Sequence, residues 1–474
     1  MSGKTSRGQA LPGKTKGVET LLGDPKRAII KLSIPMIIAM SVQTLYNVAD
    51  AVWVGGLPNG DDALAAIGLF FPFFFLIMAL ANGIGVGGGS AISRRIGAMD
   101  KKSADNVADH MVVLVIIVSI MFTVPMFILL PDILEAMGAK DTLDISVGYG
   151  RIIVGLSFII FFNNISNAIL RAEGDTKRAM YAMVVGSGLN IILDPIFIYA
   201  FGLGTEGAAW ATMASFSVTF LLMFYWLFFK RDTFVTFKLS YFRPKLLIIK
   251  DIMRVGLPSS LQQMSMSVSM IFFNVIVISV GGENGVAIFS TGWRVISMAT
   301  LPLIGISTAL VSIAGAAYGA RAFKKLSLSL TYAIKMGLMI EIPLSILIFA
   351  LAGPIAFMFT WSEGSAHLRG DLIIFLRMFV LMYFFAGFGI LSGATFQAIG
   401  KGFYSLLVTI LRTVIMSLLF AFTFGIVLDW GLIGVWSGIL LGNFLGAMIS
   451  FIWVRLYIKG LIRGMISPKR NFHQ

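Results

Sequence analysis

KLSIPMIIAMSVQTLYNVADAVWVG, Lys31 to Gly55, decides how this chain is read. Its apolar run meets the ~20 residues that a helix needs to cross a bilayer core. Two of its residues are unusual there. Pro35 removes a backbone donor near the start of the span and invites a bend. Asp50 is a carboxylate inside the span, where an ionisable group is costly enough to mark a functional site by default. Gln43, Asn47 and Asp50 share one helical face. A lipid-facing surface would not carry that stripe, so the face is expected to line a wet cavity in which Asp50 exchanges a cation.

The rest of the chain has the same character. Of its 474 residues, 57% are hydrophobic and 13% charged, against about 25% charged in a soluble protein. The fold class expected is therefore an all-α polytopic membrane protein. Twelve apolar segments follow one another, at about 29–54, 63–92, 107–130, 147–169, 179–201, 207–229, 252–280, 286–314, 328–357, 371–396, 403–427 and 431–457. The N-terminal tail and every second loop after it hold 30 of the 37 Lys and Arg residues, whereas the alternate loops hold Lys140 and Arg369 only. Positive residues stay inside, so both termini are expected in the cytoplasm, which requires an even number of spans. The net charge of +14 is then topology and lipid contact rather than nucleic acid. There is no Cys, and the three His, one of them His473 in the tail, form no metal-spaced pair. The N-terminus is polar and basic, with Lys4, Arg7, Lys14 and Lys16, and carries no cleavable signal pattern. The tail before Asp24 reads as disordered.

An internal repeat divides the chain. Pro35 pairs with Pro258 and Lys101-Lys102 with Lys324-Lys325, both 223 residues apart. Arg171-Ala-Glu-Gly174 pairs with Gln397-Ala-Ile-Gly400. Each half has six spans, so both enter the membrane from the same side, a parallel-repeat plan with the substrate between halves. The expected division is a tail at 1–28, an N-lobe at 29–229, a basic linker at 230–251, a C-lobe at 252–457 and a tail at 458–474. The halves are not chemically equal. Asp50 falls against Phe273, Asn190 against Met416 and Asp194 against Phe420, which places coupling chemistry in the N-lobe alone.

The fifth segment reads GSGLNIILDPIFI, with Ser187, Asn190 and Asp194 on one face and Pro195 beside the carboxylate. Asn163, Asn164 and Asn167 lie in the fourth segment with Tyr149 near its outer end, and Thr212 lies in the sixth. Taken singly, these amides and hydroxyls also read as interhelical hydrogen bonds worth about 0.6 kcal/mol each. Two carboxylates in hydrocarbon are different: they must be protonated, paired or cation-bound. Arg151 is the one nearby base, read as interfacial, so H⁺ and Na⁺ both fit. In the second half, Glu341 with Arg294 and Arg377 reads as an internal ion pair, with a second cation or substrate site as the alternative. The glycines at 83, 85 and 87–89 suit close helix packing, since no phosphate-loop Lys follows. No Ser/His/Asp set, HExxH or other enzyme motif is present.

These residues resemble a known family. SIPMIIAMSVQTLYNVADAVWVG in the first span, RAEGDTKRAM after the fourth and LNIILDPIF in the fifth are similar to the multidrug and toxic compound extrusion transporters, in their DinF-like branch of bacteria and archaea. The resemblance implies two six-helix lobes around a V-shaped cavity in a plasma-membrane protein. It also implies export of small organic, cationic or amphipathic substrates by H⁺ or Na⁺ antiport, without a cofactor and as a monomer. By position, Asp50, Asn190, Asp194 and Thr212 match the family's cation site, which as a metal site would take Na⁺, with Tyr149 close by. Gln43, Asn163, Asn167, Ser187 and Asn190 match the substrate-facing polar positions, and Pro35 the first-helix bend. The chain departs from the NorM-like branch, whose seventh span carries a carboxylate where this one reads LPSSLQQMSMSVSM. The alternative reading is a lipid-linked precursor flippase, which would need a strongly basic cavity; a membrane enzyme is a third.

Overall fold

The structure, a computed structural model, describes residues 15–58, 60–139, 142–230, 232–237 and 242–466. Lys4, Arg7, Lys14, Lys140 and His473 lie outside them. Sixteen α-helices follow in order. The first eight are α1 (Lys16–Leu22), α2 (Pro25–Gly55), α3 (Gly60–Gly97), α4 (Lys101–Ala136), α5 (Leu143–Gly155), α6 (Ser157–Ala172), α7 (Thr176–Pro195) and α8 (Gly204–Phe224). The second eight are α9 (Leu246–Ala299), α10 (Leu301–Gly319), α11 (Phe323–Ala350), α12 (Ala352–Phe359), α13 (Arg369–Ala398), α14 (Gly402–Thr409), α15 (Ser417–Phe422) and α16 (Gly431–Ile462). Eleven stretches are long and apolar enough to cross a membrane, and α5 with α6, bent by 48°, completes twelve. Their outer faces fit lipid: α4 exposes Ile117, Ile120, Met121, Val124 and Ile128, a patch that water would not tolerate.

The ends of these helices follow from local chemistry. Asp24 caps α2 by accepting from the Arg27 N–H, and Pro25 occupies the first turn, where no N–H is needed. α2 then continues through Pro35 as one helix. The seventh and eighth spans are joined inside α9 by Gly282, whose φ of +59° permits the sharp turn. The eighth span thus starts at residue 283, is interrupted at Thr300, and ends at Gly319 rather than near 314. α9 also begins at Leu246, inside the loop expected to reach 251.

The two six-helix lobes meet through α3 and α10, the second and eighth spans. A Cβ on Gly97 would lie 1.9 Å from the Ala316 carbonyl oxygen, and one on Gly319 would lie 1.8 Å from that of Arg94. Each is the counterpart of the other in the repeat, so the pseudo-two-fold axis passes between them. α3 also packs against α9, where Gly83 meets the Gly256 carbonyl and Gly87 that of Ile252, and α10 packs against α2 through Gly305 and Ile37. The glycine run of the second span is therefore a helix-packing surface, as expected from its composition. At the end of the bundle bearing the Lys/Arg-rich loops, hereafter the basic end, Asp251 accepts from Arg94 and from Arg95, each at 2.8 Å. These ion pairs join α3 of one lobe to α9 of the other.

The tail before Asp24 is not wholly irregular. α1 caps itself with Thr15 and buries Val18 and Leu21. Val18 joins the core of the first lobe and Leu21 a cluster built mainly from the second. Lys325 donates to the Leu22 carbonyl at 3.1 Å. Three apolar side chains, Val18, Leu21 and the partly buried Leu22, in a short, otherwise polar segment are enough to dock it, which composition averaged over the tail conceals.

The segment after the sixth span is held down on the first lobe. Thr236 donates its N–H to Asp105 at 2.9 Å, and Val235 donates its N–H to Glu173 at 3.1 Å. Glu173, outside the spans and 1% exposed, has its carboxyl pushed up to about 8 by burial, against the pull of the Val235 N–H. Its folded value lies above its unfolded one, so the folded state holds the proton more tightly. The stabilisation is complete below the ordinary carboxyl range near 4.5 and is lost as pH rises to about 8. Melting temperature is expected to fall across that window in the parent and to fall less steeply in Glu173→Gln. Equal slopes in the two proteins would show that this carboxyl is not the source.

Candidate functional site

α2 and α7 run side by side in the same direction, which sets Asp50 and Asp194 at matching depth toward the far end of the first lobe. A clasp just beyond them fixes this register. The Tyr199 hydroxyl donates to the Trp53 carbonyl at 2.5 Å, and the two rings meet edge-on at 6.3 Å. Tyr199 lies in a wide π-turn, Ile196–Ala200, that follows Pro195. Proline lacks the N–H to continue the α-pattern, and the looser turn carries Tyr199 across to α2.

Asn190 is the hub of the group. It is 1% exposed, and its Nδ2 donates to Asp194 Oδ1 at 3.1 Å and to Thr212 Oγ1 on α8 at 3.2 Å. Its amide hydrogens are thus spent, and its carbonyl oxygen is left free. Asp194 is fully buried. Three buried oxygens here, Asp50 Oδ1, Asn190 Oδ1 and Asp194 Oδ2, have no hydrogen-bond partner. Asp50 lies within electrostatic reach of Asp194, and both carboxylates within reach of Tyr46 and Tyr149. Tyr149 stacks edge-on against Phe70 at 5.5 Å. No ion pair forms to either carboxylate among the described residues, and Arg151 instead lies over the Phe127 ring, 5.7 Å from its centroid. An acceptor-only cluster without a base suits a proton or a hard cation such as Na⁺ and would repel an anion.

The other expected site residues divide. Ser187 is buried one turn before Asn190 on the same helix, and Gln43 is half-buried two turns before Asp50. Asn163 donates to the Phe216 carbonyl at 2.8 Å, an interhelical bond, while its Oδ1 is unpartnered. Asn167 does not join the group. Its amide donates to the Ala179 carbonyl in the first turn of α7, and its oxygen accepts from Arg171. That is about 20 Å along the helix axis from Asp194 at 1.5 Å per residue. It ties the fourth and fifth spans together near the basic end. The Glu341 ion pair is not found either. Glu341 is 1% exposed with both oxygens unpartnered, Arg294 is exposed, and Arg377 lies over Phe349 at 5.3 Å. The two arginines face outward, so burial of Glu341 separates it from them.

Polar residues beyond those expected from the sequence also take part. Tyr46 is buried one turn before Asp50, and that spacing was legible. A chain of amides crosses the lobes: Asn164 donates to Asn82 at 3.0 Å, and Asn82 donates to Gln263 at 3.2 Å. Gln397 and Ser405 both donate to Gln262 at 3.2 Å.

The MatE family model matches residues 35–196 and 258–423, one match per repeat. The chain is 26% identical to the multidrug export protein MepA of Staphylococcus aureus over 436 residues, 91% of this chain and 93% of that protein. Among solved structures it is similar to an outward-facing multidrug resistance MATE transporter, with 50% identity, a TM-score of 0.92, and coverage of 95% of this chain and all of that one. A MOP superfamily transporter from Pyrococcus furiosus, described as having a binding pocket of reversed polarity, matches with the same figures. Two matched repeats, twelve spans in two lobes and the buried polar group of the first lobe make this chain a member of the MatE family of multidrug efflux transporters.

Proposed function

We propose that the protein is a secondary antiporter that exports small organic cations or amphipathic compounds from the cytoplasm in exchange for H⁺ or Na⁺. The reading takes the basic end as cytoplasmic, with both termini there, in a plasma membrane. One observation carries it: Asp50, Asn190 and Asp194 hold three unpartnered buried oxygens, the two carboxylates lie within electrostatic reach of each other, and no basic side chain among the described residues is paired to them. Such a group is stable only when a proton or cation occupies it. Thr212 orients Asn190, and Tyr46 and Tyr149 close the apolar side. Gln43, Asn163 and Ser187 provide polar contacts for substrate in the first lobe. Cation entry reshapes α2 around Pro35 and weakens the substrate's hold. Thermodynamic linkage then requires that substrate binding weaken cation binding equally. The lobes at 29–229 and 252–457 rock about the α3–α10 contact.

The flippase alternative calls for basic side chains at the substrate-facing group itself, whereas Asp50, Asn190 and Asp194 present unpartnered oxygens there and no paired base. The test is substrate efflux from proteoliposomes under pH and Na⁺ gradients imposed separately. Efflux driven by one gradient identifies the ion, and efflux indifferent to both overturns antiport.

A further inference from the structure

A second cavity, of about 720 Å³, opens at the basic end, far along the spans from Asp50 and Asp194. Six cationic side chains line it: Arg94, Arg95, Lys245, Lys250, Arg254 and Lys401. Among the described residues Asp251 is its one carboxylate, and that carboxylate is already shared between Arg94 and Arg95. The acids just outside are engaged as well. Asp105 binds Lys101 and Thr236, and Asp100 caps Ser103. Lys401 rests over Tyr404 and Tyr457 at 5.4 and 5.9 Å, which orders its ammonium at the cavity wall. Tyr318 and Tyr457 add hydroxyls to the lining.

Cations gathered in a recess focus a positive potential, and the described lining sets six of them against one carboxylate. An anion with several oxygens would relieve their repulsion and give the guanidinium forks and ammonium groups acceptors. The volume lies within the range of small-molecule sites. The lining is also divided. Arg94 and Arg95 come from α3 of the first lobe, and Lys250, Arg254 and Lys401 from the second. The cavity therefore has this shape only while the lobes touch at this end.

We infer that this cavity binds a phosphate-bearing anion, either the headgroup of an anionic lipid or a soluble polyphosphate, and that the anion favours the state in which the basic end is shut. A ligand that contacts both lobes stabilises the arrangement that brings them together. The site is separate from the cation group, and its test does not depend on antiport.

The protein is placed in phosphatidylcholine nanodiscs. Its melting temperature is followed as Mg²⁺-free pyrophosphate is added, and in parallel discs in which phosphatidylglycerol replaces part of the phosphatidylcholine. Spin labels across the two lobes at the basic end report their separation. Stabilisation with a narrowed short-distance population is expected in at least one arm, and the arm that responds identifies the source. Lys250→Gln with Arg254→Gln removes two exposed cations without touching the Arg94, Arg95 and Asp251 cluster. Binding should weaken roughly fivefold for each, about 30-fold together. The single variants serve if the pair lowers the ligand-free melting temperature. No shift in either arm, or a shift undiminished by the substitutions, overturns the inference.

Discussion

Asp194→Asn is expected to leave a folded protein whose efflux no longer responds to an ion gradient. The side chain is fully buried, and its Oδ1 accepts from Asn190 Nδ2 while Oδ2 has no partner. Asparagine has the same shape, and its oxygen can keep the bond from Asn190. What changes is the unpartnered position, where an amide NH2 now replaces a buried acceptor oxygen. A buried charge is removed and a donor is added to a group rich in unpartnered oxygens, so the fold loses little, and the neutral amide neither takes a proton nor attracts Na⁺. Coupling free energies between sites are typically 1–3 kcal/mol, or roughly 5- to 150-fold in affinity. Substrate affinity in the parent should shift by a factor in that range between ion-loaded and ion-free conditions. In the variant it should not shift, and efflux in vesicles should fall to the leak rate. Asp50→Asn should do the same, and the double variant should be no worse, because both carboxylates serve one ion. Thr212→Ala removes only a neutral hydrogen bond to Asn190 and should cost about 1 kcal/mol of stability while leaving partial coupling. Gradient-driven efflux at the parent rate by either Asp variant would dismiss the site.

The spans and the carboxylate pair were legible in the sequence because each rests on local or near-local information. Hydropathy marks a span from its own residues, and Lys/Arg asymmetry reads loops directly. Asp50 and Asp194 stand out because a charge in hydrocarbon is conspicuous wherever it points. Partner choice between helices is another matter. Nothing in Asn82 or Gln263 says that they meet, since lipid and helix neighbours are equally apolar and periodicity cannot separate them. Asn167 is matched to the substrate-facing positions by family resemblance, which fixes a place in the chain and not a partner across the bundle. Arg171, one turn further toward the loop, was the available sign that Asn167 lies too near the membrane surface. Glu341 was paired with arginines by depth alone, and depth fixes no azimuth. α1 was hidden for a different reason. Its two buried anchors, Val18 and Leu21, find their cores in different lobes, so neither is visible until the lobes are assembled.

Gly97→Val and Gly319→Val should open the basic end. Each added Cβ would meet a backbone carbonyl oxygen of the other lobe at under 2 Å, far inside contact distance. Backbone cannot swing aside as a flexible side chain does, so α3 and α10 must separate. Overpacking of this kind costs roughly 1–3 kcal/mol where a core can adjust, and more where it cannot. Since about 1.4 kcal/mol is tenfold in a population, the shut state should fall at least tenfold relative to states open at this end. The penalty falls between lobes and not within either, so helix content and each lobe's internal packing should survive. Spin labels on opposite lobes should report longer distances in both variants, with Gly97→Ala intermediate. Because the two glycines share one contact, the double variant should add less than the sum of the singles. Gly68→Ala is the control, as a Cβ there meets nothing within 4 Å. Transport should stop in the valine variants even with Asp50 and Asp194 intact, because a transporter that cannot seal one end cannot convert an ion gradient into export. Distances matching the parent would mean that the lobes meet here loosely and that the seal is made elsewhere.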